Sequence, residues 1–197
     1  MWPCPNPQPS AWPRHYPRGL DSLCARKKVS NIAQSRRCFS AAVLYKNGVV
    51  VAHIHFRLET KLAPGAVLAG LTDFGPRRAQ IWPNIDDQHF KLHSQGPGWA
   101  EVTEGSSVAG GVWEREKYTW DALKGTVAVE TMESNTWGLG SRWDYKLTPT
   151  RQGGTEIDVT VERHGKGWKG RLIEVGLAAG TRMLRSQMEH ALARFVS

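Results

Sequence analysis

Cysteine is absent from residues 49–197; the chain's three cysteines, Cys4, Cys24 and Cys38, all precede that stretch. This excludes a cysteine nucleophile, cysteine-ligated zinc and an internal disulfide from three quarters of the chain, and it fits a reducing compartment. Acidic residues are nearly missing from the other quarter. Residues 1–48 carry eight Lys and Arg side chains against one acid, Asp21. The net charge of +8 therefore belongs almost wholly to that leader, because residues 49–197 are close to balanced. A basic nucleic-acid face on the body is disfavoured, and no nucleic-acid partner is expected. Long apolar runs are missing too. Nothing approaches the ~20 residues that span a bilayer as a helix. No glycine loop has phosphate-binding spacing ahead of a helix, and no Gly-x-Ser-x-Gly elbow occurs.

What is present divides at residue 48. The leader holds six of the eleven prolines, from Pro3 to Pro17. Proline at that density blocks helix and sheet ladders, so residues 1–48 read as a basic, Pro-rich and disordered extension. No apolar core of the secretory kind occurs. An organelle transit peptide over residues 1–39 is the alternative, with Arg37-Cys38-Phe39-Ser40 as its cleavage context. A plain extension is favoured because no amphipathic helix emerges, which makes the expected location cytoplasmic.

The chain as a whole is 40% apolar and 22% charged, the content of a folded protein. Ile54, Phe56 and Leu58 alternate with His53, His55, Arg57 and Glu59, the period of a half-buried strand. Pro64 suits a first helical turn, and Val67, Leu68 and Leu71 predict a short helix to about Asp73. A second short helix is predicted over Arg77–Ile81, stopped by Pro83. From Ile85 to Arg163 the pattern is strands and turns. Its clearest strand reads Trp137–Thr148, with Trp137, Leu139, Ser141, Trp143, Tyr145 and Leu147 on one face. Ile157, Val159 and Val161 alternate in the next. Short turns between successive strands predict an antiparallel meander. The last segment, Trp168–Phe195, changes period: Ile173, Leu177, Gly180, Leu184, Met188 and Ala191 predict one amphipathic helix of about 27 residues, roughly 40 Å long.

The order is thus a strand, two short helices, further antiparallel strands and one long helix. It is similar to the helix-grip fold of the START-like superfamily, which includes polyketide cyclases/dehydrases, lipid-transfer proteins and the birch-pollen-allergen group. Ile81-Trp82-Pro83-Asn84-Ile85-Asp86, Trp99 to Gly105, Val112-Trp113-Glu114-Arg115-Glu116 and Lys169-Gly170-Arg171-Leu172 resemble one bacterial branch of it. The resemblance spans about residues 50–196. It implies an α+β domain: a curved antiparallel sheet of six or seven strands wrapped around a long C-terminal helix, with two short helices after the first strand. It also implies a cavity between sheet and helix for a hydrophobic or aromatic small molecule, lipid or polyketide-like. It implies no cofactor and carries no universal catalytic triad.

Candidate site residues follow from where rings and ionisable groups fall. Trp82, Tyr118, Trp120, Trp137, Ser141, Trp143 and Tyr145 are the candidate ligand-binding set, because large rings with single polar handles suit the wall of a pocket. The competing reading is that these rings fill core and that the hydroxyls bond to backbone. Glu114 and Glu116 share a face of the strand 112–120, and Arg115 and Lys117 share the other. An inward Glu would have its pKa raised by desolvation, as a general acid or base needs. Glu116, Tyr118 and Tyr145 are therefore the catalytic candidates for an enzyme of the cyclase/dehydratase kind. The competing reading is an internal Glu–Arg pair or a solvated rim. His89 and His93 stand about 13 Å apart if they lie on a strand, too far for one ion. His53 and His55 lack a third ligand, so no metal is expected. Oligomeric state leaves no trace in the sequence.

Overall fold

The structure of the protein, a computed structural model, describes residues 39–46, 49–107 and 111–195. The Pro-rich run, the three cysteines and the disorder and transit-peptide readings of residues 1–38 lie outside the described residues.

Eight strands form one antiparallel sheet: β1 (Phe39–Lys46), β2 (Val49–Thr60), β3 (Lys91–Gly96), β4 (Trp99–Ser106), β5 (Val112–Asp121), β6 (Thr126–Ser134), β7 (Arg142–Pro149) and β8 (Thr155–Arg163). Their order across the sheet is β1-β2-β8-β7-β6-β5-β4-β3. Strands β3 to β8 are therefore a plain meander, and the chain's first two strands close onto the last. Seven of the eight lie in the body. The eighth, β1, comes from residues assigned to the extension and pairs with β2 from Phe39↔Phe56 to Lys46↔Val49.

Two short helices, α1 (Pro64–Leu71) and α2 (Arg78–Ile81), follow β2. Pro64 stands in the first turn of α1, where a missing N–H is harmless. Helices α3 (Gly167–Ala179) and α4 (Thr181–Arg194) end the fold, and both pack against β2. This is the helix-grip architecture. Among the described residues no helix is long and apolar enough to cross a membrane.

The core is where the strand alternation points. Ile54, Phe56 and Leu58 of β2, Ile157, Val159 and Val161 of β8, and Val127 and Val129 of β6 are all buried. From α4, Leu184, Met188 and Leu192 complete the same cluster, and from α1 so do Val67 and Leu71.

Two expectations change. The single long helix is broken at Gly180, whose backbone (φ −100°, ψ 26°) leaves helical geometry between α3 and α4. Glycine is the weakest non-proline residue in a helix interior, so a bend falls there at least cost. The strand expected over Trp137–Thr148 begins only at Arg142. Gly140 adopts φ +89°, which side-chain-bearing residues rarely do, and the chain turns over Gly138–Ser141. The Ser134 hydroxyl accepts the backbone N–H groups of Thr136 and Trp137, holding the turn. As a result Leu139 is exposed, although it shares a sequence period with the buried Trp137.

Candidate functional site

A cavity of about 260 Å³ lies between the concave face of the sheet and the helices. Strands β4, β5, β7 and β8 supply its floor, α2 one wall, and Leu184, Gln187 and Met188 of α4 part of its cover. The alternation of each strand decides what reaches it. On β5 the inward residues are Glu114, Glu116 and Tyr118; on β7 they are Trp143 and Tyr145. The pairings Tyr118↔Val129 and Val129↔Trp143 set these rows side by side.

Of the residues anticipated from the sequence, Trp82, Glu116, Tyr118, Trp137, Trp143 and Tyr145 line this cavity. Trp120 does not. It lies two residues beyond Tyr118, and its ring packs against Phe74 with centroids 6.2 Å apart. Ser141 does not either. It is buried in the turn before β7, where its hydroxyl accepts the backbone N–H of His164 at 3.0 Å.

Four charged residues, none proposed as ligand-binding or catalytic, complete the site: Arg78, Glu104, Glu114 and Arg163. They form two ion pairs, Arg78–Glu104 buried and Arg163–Glu114 part-buried. Arg78 is only 2% exposed and donates from Nε to Glu104 Oε1 at 2.8 Å. Its Nη2 donates to the Tyr118 hydroxyl at 2.9 Å, which in turn donates to Glu104 Oε2 at 3.1 Å. Its Nη1 donates to the carbonyls of Leu71 and Asp73, tying α2 to the end of α1. The guanidinium also lies over the rings of Phe74, Trp82 and Tyr118. Burial opposes its charge, but Glu104 and Tyr118 outweigh burial and raise its pKa. Arg163 donates from Nη1 to Glu114 Oε2 at 2.8 Å and lies 5.1 Å from the ring centroids of both Trp137 and Trp143. Thr131 donates its hydroxyl to the same Glu114 oxygen.

Glu116 stands between the two pairs, 5% exposed. Burial, then the neighbouring Glu114 and Glu104, push its carboxyl pKa well up, Arg163 opposes them, and a hydrogen bond joins it to Glu114. Burial, then Glu116, pushes Tyr145 up as well. Tyr118 is also driven up by burial and by Glu104, and both its hydroxyl contacts are occupied. The Tyr145 hydroxyl takes part in no side-chain hydrogen bond among the described residues, and the Trp82 indole N–H is buried without an acceptor. Among the described residues no His, Cys, Asp and Glu side chains cluster in a way that could hold a metal ion.

The pattern contained signals for two of the missed residues. Arg163 continues the inward row Ile157, Val159, Val161, and Glu104 continues Ala100 and Val102. A charge in phase with a buried row must be paired or neutralised. Arg78 had no such signal, because α2 is a single turn and its neighbour Arg77 looks identical in sequence.

No family model matches the chain, and no curated protein matches it. Solved structures do. The Zhui aromatase/cyclase from Streptomyces sp. R1128 superposes with a TM-score of 0.53 at 17% identity, covering 74% of this chain and 87% of that one. A START superfamily protein from Mycobacterium smegmatis gives 0.56 at 12% identity, covering 71% and 93%. Norcoclaurine synthase from Thalictrum flavum, in complex with dopamine and hydroxybenzaldehyde, gives 0.56 at 15% identity, covering 75% and 87%. The chain has the helix-grip fold that these START-like, aromatase/cyclase and norcoclaurine synthase structures share.

Proposed function

We propose that the protein binds a hydrophobic or aromatic small molecule in the cavity between the sheet and α4. The observation that supports this is one cavity lined by tryptophan and tyrosine rings beside paired charged side chains. At about 260 Å³ it lies just below the usual ligand-pocket range of roughly 300–1,000 Å³. That size suits a ligand of one or two fused rings better than a long-chain lipid. Binding is assigned to residues 49–197, the range in which the cavity-lining residues fall, and to a cytoplasmic protein. The test is native mass spectrometry of protein purified from its host, then of protein incubated with lipid, polyketide and aromatic extracts. A one-to-one adduct is expected. Recovery of empty protein in every arm would overturn the reading.

A second reading is an enzyme of the cyclase/dehydratase kind, and one observation favours it. Glu116 is an inward carboxyl whose pKa burial and Glu114 push up, the direction a general acid near neutrality needs. It would protonate a ligand carbonyl or a leaving hydroxyl, with Tyr145 beside it. Tyr118 is the weaker candidate, since its hydroxyl is already engaged by Arg78 and Glu104. Turnover of a polyketide-like substrate that survives unchanged in Glu116→Gln would exclude this role.

A further inference from the structure

The charges around the cavity are matched before any ligand arrives. Arg78 faces Glu104, and Arg163 faces Glu114. The fifth ionisable group, Glu116, adds a third carboxyl to the same floor. An anionic ligand would meet three carboxyls and two guanidiniums that already have partners. A cationic ligand would have to lose its own hydration to meet a floor that is already compensated. One polar handle remains over. Tyr145 lines the cavity, and its hydroxyl takes part in no side-chain hydrogen bond among the described residues. The Trp82 indole nitrogen also lacks an acceptor, but it is shielded and out of a ligand's reach. A phenol donates most readily. Leaving that donor unmet beneath a bound ligand is costly, so it defines what a good ligand must bring.

Resting on the ligand-binding reading above, we infer that the ligand is electrically neutral and presents an acceptor oxygen, carbonyl or ether, to Tyr145. Charge matching disfavours carboxylates such as fatty acids, and the leftover donor selects oxygenated rings over plain hydrocarbons. Selection of this kind works through the group left unpaired by the wrong ligand.

Four naphthalenes of similar size separate these terms: 2-acetylnaphthalene, 2-ethylnaphthalene, 2-naphthoate and 2-(aminomethyl)naphthalene. Their affinities are measured by titration calorimetry on the full chain at about pH 7.5, where the last two are charged. The ketone is expected to bind at least about tenfold more tightly than either charged compound, and measurably more tightly than the ethyl compound. In Tyr145→Phe the ketone-to-ethyl affinity ratio falls toward one, a readout that a general loss of packing would not move. A charged compound that binds as well as the ketone overturns the inference while leaving the ligand site standing. So does an ethyl compound that binds as well, which would mean the donor is served by water. Failure of all four to bind overturns the ligand-site reading itself, and this inference with it.

Discussion

Glu116→Gln separates the electrostatics of the cavity floor from its packing. The Glu116 carboxyl is buried, and its ordinary pKa of 4.5 is pushed well up by burial, by Glu114 on its own strand and by Glu104 on β4, against Arg163 on β8. Arg78 on α2 and Tyr145 on β7 also face it. In the unfolded chain the carboxyl loses its proton near the ordinary value; in the folded protein it loses it at higher pH. Between those two values the native state binds one more proton than the unfolded state, so stability falls as pH rises. The fall is at most about 1.4 kcal/mol per pH unit and ends where the folded protein also releases the proton. The amide of the variant has no proton to release, and its NH2 can still donate to Glu114. Wild type should therefore lose about 1.4 kcal/mol relative to the variant for each pH unit within that window. For a chain of this length that is about 3–6 °C of Tm per unit. Circular-dichroism melts of both proteins from about pH 5 to about pH 7.5 test this slope. The variant should overtake wild type as pH rises. Parallel curves, or a variant that loses Tm faster, would mean that Glu116 is ionised in the folded state and that the account of the floor is wrong.

Two further outcomes follow from the same geometry. Arg163→Met strands the part-buried Glu114 and should cost about 2–4 kcal/mol in urea denaturation, while the double change with Glu114→Gln should recover most of the loss; a single variant costing under about 1 kcal/mol would show that the pair is not desolvated. Deleting residues 1–48 removes β1 and leaves the outer edge of β2 unpaired, so Tm should drop and association at high concentration should rise; an unchanged Tm would show that β1 adds nothing to the sheet.

Most of the fold was legible because each element announces itself over a short span. Period-two alternation in β2 and β8 needs only neighbours along the strand, and so do Pro64 opening α1 and the change of period near Trp168. Resemblance supplied the helix-grip arrangement. The break in the last helix and the late start of β7 share one cause, which is that glycine carries no face. Gly180 sits in phase in a helical row and breaks it. Gly138 and Gly140 sit in an alternating row, and the chain turns there, leaving Leu139 in solvent while Trp137 stays buried.

The site was legible in part for a related reason. Strand alternation puts Glu116, Tyr118, Trp143 and Tyr145 on faces, and a face can be inferred from one strand alone. Whether a face points at a cavity, at core or at a covering ring depends on what lies opposite. That is why Trp120 packs against Phe74 and Ser141 closes a turn. The partners of the buried charges were beyond reach of pattern. Arg78 and Glu104 are 26 residues apart, and Glu114 and Arg163 are 49 apart. Sequence by itself determined which side chains share a strand face, since that follows from backbone period. Only the closed sheet decided which charges meet, because pairing across strands is a property of register and curvature that no local stretch of chain contains.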